Sequence, residues 1–232
     1  MSSLLTKVNH GYGKYLLLGI DFAFIAASMV RYRLRFFFNE ELLSVGQDGG
    51  YAEQFQYVKL MAIILLLGLA ALATKSALIG GWAIIFSILL ADDKLILHEK
   101  WGEKFAEWFS IQPMFYLRAI DYGELMVFAM WGIIAVAILV ATSRIDRSFI
   151  ARQLSKGLLL SLGGLALFGG AFDMLHIAAR NFYGLSPRGE NLFDALEDGG
   201  EMIVVSLALW FIYQIYLKVR FKSKQMKASH QG

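Results

Sequence analysis

The chain of 232 residues contains no cysteine. That excludes disulfides, thiolate metal ligands, iron–sulfur clusters and cysteine nucleophiles, and it leaves the compartment open. Proline is scarce too: there are only 2, Pro113 and Pro187, so little interrupts long helices. Charged residues make up 18% of the chain against 57% hydrophobic ones, and the mean hydropathy is +0.54. With apolar runs near helix-spanning length, this balance places the chain among polytopic membrane proteins. The first residues lack the charged, apolar and small-residue succession of a cleavable signal, so the first apolar run reads as a retained helix. No lipidation box is present. Nor is there a basic surface suited to nucleic acid, because Lys and Arg cluster in short segments flanking apolar runs.

What is present reads as an all-α, polytopic transmembrane six-helix bundle. The expected helices cover residues 15–37, 57–73, 78–97, 125–142, 157–179 and 201–218, in a single transmembrane domain over 1–220, with a basic tail over 221–232. Placing the N-terminus in the cytoplasm puts Lys7, Lys14, Lys75, Arg144, Arg147, Arg152, Lys156, Lys218, Arg220, Lys222, Lys224 and Lys227 on that side, with Asp146 the sole acid among them. This is the positive-inside pattern, so both termini are expected to be cytoplasmic and the membrane to be a cell inner or plasma membrane. Between the third and fourth helices, W-G-E-K-F-A-E-W-F sets Trp101, Phe105, Trp108 and Phe109 at helical spacing. It reads as an amphipathic helix lying on the outer leaflet, with an extension of the third helix as the alternative. Lys59 is expected to snorkel, and Asp21 to serve helix packing away from the other charges.

Several apolar runs carry ionisable residues where lipid-depth helix is expected, and such groups default to a functional hypothesis. A rise of about 1.5 Å per residue places Asp92 and Asp93 at roughly 21–23 Å from the cytoplasmic side, and Asp173 and His176 at roughly 24–29 Å. Glu201 and Arg31 fall at roughly 25 Å, so distant stretches put charge in one layer, with His98, Glu124, Glu197 and Asp198 about one turn nearer the outer surface. Helical spacing puts Asp173, His176 and Arg180 on one face, and Asp194, Glu197, Asp198 and Glu201 on another if the last helix starts early. It also pairs Asp92 with Glu99 and turns Asp93 and His98 elsewhere, unless the third helix unwinds. These faces need shelter from lipid, which implies a polar cavity open to the outside.

Three readings compete for the cavity. In the first, Asp92, His98, Asp173, His176, Glu197 and Glu201 hold a divalent metal such as Zn or Fe, and Glu99 or Asp198 acts as a general base on a lipid-like substrate, in a hydrolase or oxidase. In the second, the same acids line a cation or proton transporter or channel. In the third, Lys94, Arg31 and Arg180 pair with the acids and the protein is a non-catalytic membrane subunit. Membrane lipids are the expected surroundings in every case, the oligomeric state stays open, and nucleic acid is not an expected partner.

The combination of D-D-x4-H-E (Asp92, Asp93, His98, Glu99), an aspartate–histidine helix (Asp173, His176) and E-D-x-x-E (Glu197, Asp198, Glu201) resembles a group of uncharacterised bacterial multi-pass integral membrane proteins. That resemblance covers most of the helical core and implies no activity. At greater distance the chain is similar to the alkaline-ceramidase-like membrane hydrolases, whose histidines and an aspartate hold zinc at an amide-hydrolysis site. It departs from them in having six expected helices rather than seven and no H-x-x-x-H pair. What the likeness implies is zinc held by His98, His176 and a carboxylate in a substitute arrangement.

Overall fold

The computed structural model describes residues 2–34, 41–146 and 148–229, and side chains over 12–31, 41–146 and 148–220. Lys7, Arg147, Lys222, Lys224 and Lys227 of the expected cytoplasmic set therefore lie outside the described side chains. Every regular element among the described residues is helical. In chain order these are α1 (Ser2–Leu34), α2 (Tyr51–Thr74), α3 (Ala77–Leu95), α4 (Leu97–Trp108), α5 (Ala119–Ile145), α6 (Phe149–Ala166), a π-helical turn (Leu167–Phe172), α7 (Asp173–Tyr183) and α8 (Pro187–Ser229). The turn joins α6 and α7 into one helical run, and α8 continues through most of the expected tail.

Among the described residues, five stretches are long and apolar enough to cross a membrane: Tyr12–Arg31, Tyr51–Thr74, Ala119–Ile145, Phe149–Tyr183 and Pro187–Arg220. The sixth expected helix, α3, is apolar until it ends in Asp92, Asp93 and Lys94. It forms a tight hairpin with α2, turning at Lys75 with a left-handed φ of 54° and starting on Ser76, whose side chain accepts from Ile79 N.

The core sits at the end of the bundle that carries this hairpin. Leu60, Ile63 and Leu67 of α2 pack against Ile79, Trp82 and Phe86 of α3, Leu154 and Leu158 of α6, and Val205 and Ile212 of α8. These side chains are almost wholly removed from solvent. Trp82 satisfies its indole N–H by donating to Ser155 Oγ at 2.8 Å, so a large buried ring ties α3 to α6 without an orphaned donor. Asp146 closes the same end: it accepts from Ser76 Oγ and, at 2.8 Å, from Ser148 N, linking the α2–α3 and α5–α6 turns. Burial opposes ionisation of Asp146, but the Ser76 hydrogen bond, two backbone N–H groups and Arg152 outweigh it and hold its pKa below the ordinary value.

At the opposite end α3 stops at Ile96, whose φ of 53° is left-handed. A β-branched residue resists that region, which favours the continuous extension given above as the alternative. The chain instead turns into α4, which packs on α5 as a separate amphipathic helix. Its docking needs two glycines, since a Cβ on Gly123 would fall 1.9 Å from Gly102 O. Trp101 and Trp108 remain exposed on α4, as do Phe109 at its C-terminal cap and Met114, Phe115 and Tyr116 in the connection that follows.

Helix packing leaves one side of the charged end loose. α5 packs on α3 and α4, while α6 packs on α8 and α3, and α5 and α6 have at most marginal contact with each other. The gap between them is bridged near its end by Asn181, which donates to Tyr116 O at 2.7 Å, and by the Tyr116–Phe182 ring contact.

Candidate functional site

The charged end encloses a cavity of about 1120 Å³. Its polar lining comes from four quarters: Asp48 and Glu53 with Gln56, then Asp92, Asp93, His98 and Glu99, then Arg118 and Glu124, and finally Asp173, His176, Arg180, Asp194, Glu197, Asp198 and Glu201. Its apolar lining includes Ile88 and Leu89 of α3, together with Leu125, Phe128 and Ala135 of α5 and Leu159 and Leu162 of α6 on either side of the loose α5–α6 face. The cavity is thus amphipathic, with carboxylates gathered from several helices over an apolar flank.

Of the residues expected to bind a metal, Asp92, His98, Asp173, His176, Glu197 and Glu201 all line this cavity, as do the expected bases Glu99 and Asp198. They are not gathered on one centre. Among the described residues no group of three or more His, Asp or Glu side chains is arranged to hold a metal ion. Hydrogen bonds draw four of them into two clusters, Asp92 with His98 and His176 with Glu197, while Glu201 is bonded to Gln56.

The first cluster is Asp92 with His98. The expectation paired Asp92 with Glu99, as a straight helix requires. The break at Ile96 re-aims α4, so that His98 Nδ1 lies 3.2 Å from Asp92 Oδ2, while Glu99 is exposed at the mouth. Asp92 is fixed from its other side by Trp131, whose Nε1 donates to Oδ1 at 2.9 Å. The His98 ring stacks on Phe128 with centroids 5.3 Å apart. Burial disfavours the charged imidazole, but the hydrogen bond and charge of Asp92, with Glu124 and Glu99, outweigh it and raise the His98 pKa.

The second cluster surrounds His176, which is buried. Nδ1 lies 3.1 Å from Glu197 Oε2, and Nε2 lies 2.8 Å from Glu190 Oε2. Arg180 donates to Glu190 through Nε at 2.9 Å, and the imidazole stacks on Phe193 at 5.0 Å. Both ring nitrogens thus face carboxylates, and Arg180 Nη2 also lies 3.1 Å from Nε2. Glu190 was hidden in a segment that reads as a turn-rich loop. The signal that could have found it is Ser186-Pro187, a capping residue followed by proline at a first helical position. Gly189 N donates to Ser186 Oγ at 3.3 Å, and the helix that starts there carries Asp194, Glu197, Asp198 and Glu201 along one face.

The expected cations are accounted for differently than by simple pairing with the layer. Lys59 does not snorkel: it is 1% exposed and donates to Asp21 Oδ1 at 2.8 Å, Met202 O at 2.9 Å and Ser206 Oγ at 3.1 Å. Depth alone could not reveal that α1 places Asp21 against it. Lys94 sits over the Tyr57 ring, 4.6 Å from its centroid. Arg118 binds Asp121 in a capping box at the start of α5, and that hydrogen bond raises its pKa against the opposing effect of burial. Arg31 donates to Ser44 Oγ at 2.8 Å, tying α1 to the loop whose Gly46 closes on Asp194 and Asp198. Among the described residues no side-chain cation forms an ion pair with Asp93, Asp173, Asp198 or Glu201. Glu201 is seated by Gln56, whose Nε2 donates to Oε2 at 3.2 Å, and by Gly169, where a Cβ would fall 1.7 Å from Oε1.

A family model described as a domain of unknown function (DUF8692) matches residues 50–217. No curated protein and no solved structure matches the chain.

Proposed function

The chain belongs to this DUF8692 family, and from its geometry we propose that it takes a lipid-like amphiphile with a cationic head out of the outer leaflet and hydrolyses it. The observation that carries the proposal is the amphipathic cavity: at one end Asp93, Asp173, Asp198 and Glu201, which form no ion pair with a cation among the described residues, and beside them an apolar flank at the loose α5–α6 face. A cationic head would offset the repulsion among the acids, while the chain would lie along Leu125, Phe128, Leu159 and Leu162. Buried charge without a partner costs several kcal/mol or shifts toward its neutral form, which favours such a ligand.

The placement of basic residues supports an orientation. With α3 as a crossing, the termini share one side, and the basic flanks make that side cytoplasmic. The cavity then opens outward and sideways, while the packed core of α2, α3, α6 and α8 fills the cytoplasmic half. A transporter would require polar continuity through that half, and the candidate named for it, Asp21, is engaged by Lys59. The exposed aromatics of α4 would lie at the outer interface, beside the entry.

The first cluster supports the choice of reaction class. An imidazole held at Nδ1 by a carboxylate keeps Nε2 for the cavity, where it can take a proton from water and return it to a leaving group. Asp92 and Trp131 position that imidazole. The test compares lipids retained by purified wild type, His98→Gln and Glu201→Gln. A cationic amphiphile enriched on His98→Gln, and lost from Glu201→Gln, is the expected result. The same lipids on all three proteins would sink the proposal.

A further inference from the structure

The floor of the cavity specifies the chemistry of the head group more narrowly than charge alone. Gln56 is buried at 8% exposure and lines the cavity. Its Nε2 is committed to the Glu201 carboxylate, which leaves Oε1 as a buried acceptor without a hydrogen-bond partner. An orphaned buried acceptor is costly and calls for a donor. Glu201 and Asp198, on the same face of α8, offer only acceptor oxygens when ionised. The nearby lysine cannot supply the donor, because Lys59 spends its three N–H groups on Asp21, Met202 and Ser206.

Aromatic surface points the same way. Quaternary ammonium groups, which have no N–H, are recognised by open aromatic faces. The rings next to Gln56 in sequence are covered by the protein's own cations: Phe55 has Lys59 Nζ 4.8 Å from its centroid, and Tyr57 has Lys94 Nζ at 4.6 Å. Phe128, farther along the wall, is stacked against His98. Trp131, whose indole also lines the cavity, is held by its N–H bond to Asp92, and the group bonded to Gln56 is the Glu201 carboxylate, an oxygen acceptor.

We infer that the site selects a primary ammonium head, with one N–H donated to Gln56 Oε1 and others to Glu201 and Asp198, and discriminates against a quaternary ammonium of equal charge. This rests on the amphiphile reading above and sharpens it. The test is calorimetric titration of the full-length protein in lipid nanodiscs with dodecylammonium and with dodecyltrimethylammonium. The chains and charges match, so the comparison reads the N–H groups. Primary ammonium binding at least tenfold tighter is the expected result, with Gln56→Met cutting the ratio to threefold or less. Equal or tighter binding of the trimethyl compound would overturn the inference while leaving the amphiphile reading standing. Saturable binding of neither would overturn both. Should Gln56→Met fail to fold, the wild-type ratio alone decides.

Discussion

His98 and Asp92 form the contact whose consequences are easiest to measure. The raised His98 pKa means that the folded protein holds this proton more tightly than the unfolded chain. Its contribution to stability is then fully present below the unfolded imidazole value of about 6.5 and fades as pH rises through the folded value. Wild type should be more stable than His98→Asn in mildly acid solution, and that margin should shrink toward alkaline pH. Thermal unfolding of both proteins from about pH 5.5 to about pH 9 checks this; a margin that grows with pH would contradict it. The buried Asp21–Lys59 pair makes a second residue-level prediction. Asp21→Asn or Lys59→Met alone leaves one partner buried and unpaired, and each should cost about 3–5 kcal/mol. The double substitution should recover much of that loss in a denaturation cycle. Additive losses would mean that the pair is not coupled.

Elements decide which of these contacts could be read from the chain. The faces of α7 and α8 were legible, because three- and four-residue spacing maps onto a helix whatever its surroundings. Asp173, His176 and Arg180 do line the cavity together, as do Asp194, Glu197, Asp198 and Glu201. The partner of Asp92 was not legible, because it depends on a left-handed isoleucine that local propensity disfavours. Trp131 and Gln56 lie in apolar or mixed stretches where nothing marks them, and only the fold brings them to Asp92 and Glu201. The loose α5–α6 face was equally hidden, since it is a property of how helices pack rather than of either helix. It is testable. Gly132 on α5 and Gly163 on α6 line the cavity and have open space where a side chain would begin. The chain has no native cysteine, so Gly132→Cys/Gly163→Cys joined by a flexible bifunctional maleimide addresses this face alone. Bridging it should slow uptake of a bilayer-dissolved alkylammonium at least tenfold, measured in nanodiscs before and after cross-linking. Unchanged uptake would place the entry elsewhere.

For the whole molecule, the sequence conveyed the class and the structure supplied the asymmetry. Composition and apolar runs already implied a helical, multi-pass protein, and five described helices have the length and hydropathy to cross a membrane. The proposed topology adds α3 as a crossing and puts both termini in the cytoplasm. A single cysteine replacing Ser3 or Ser229 should then be protected from an impermeant thiol reagent in intact cells and labelled after lysis, and labelling before lysis would contradict it. One end of the molecule is a packed apolar core, and the other is an acidic cavity beside a loose helix face. The central claim is that this cavity receives a cationic amphiphile. The most direct measurement uses Trp131, which lines the cavity and bonds Asp92. Fluorescence is recorded in nanodiscs during titration with bromine-labelled dodecylammonium and with bromine-labelled dodecanoate, in wild type and Trp131→Phe. The account predicts saturable quenching by the ammonium probe alone, absent from Trp131→Phe. Equal, unsaturable quenching by both probes, as expected for rings merely facing lipid, would contradict it.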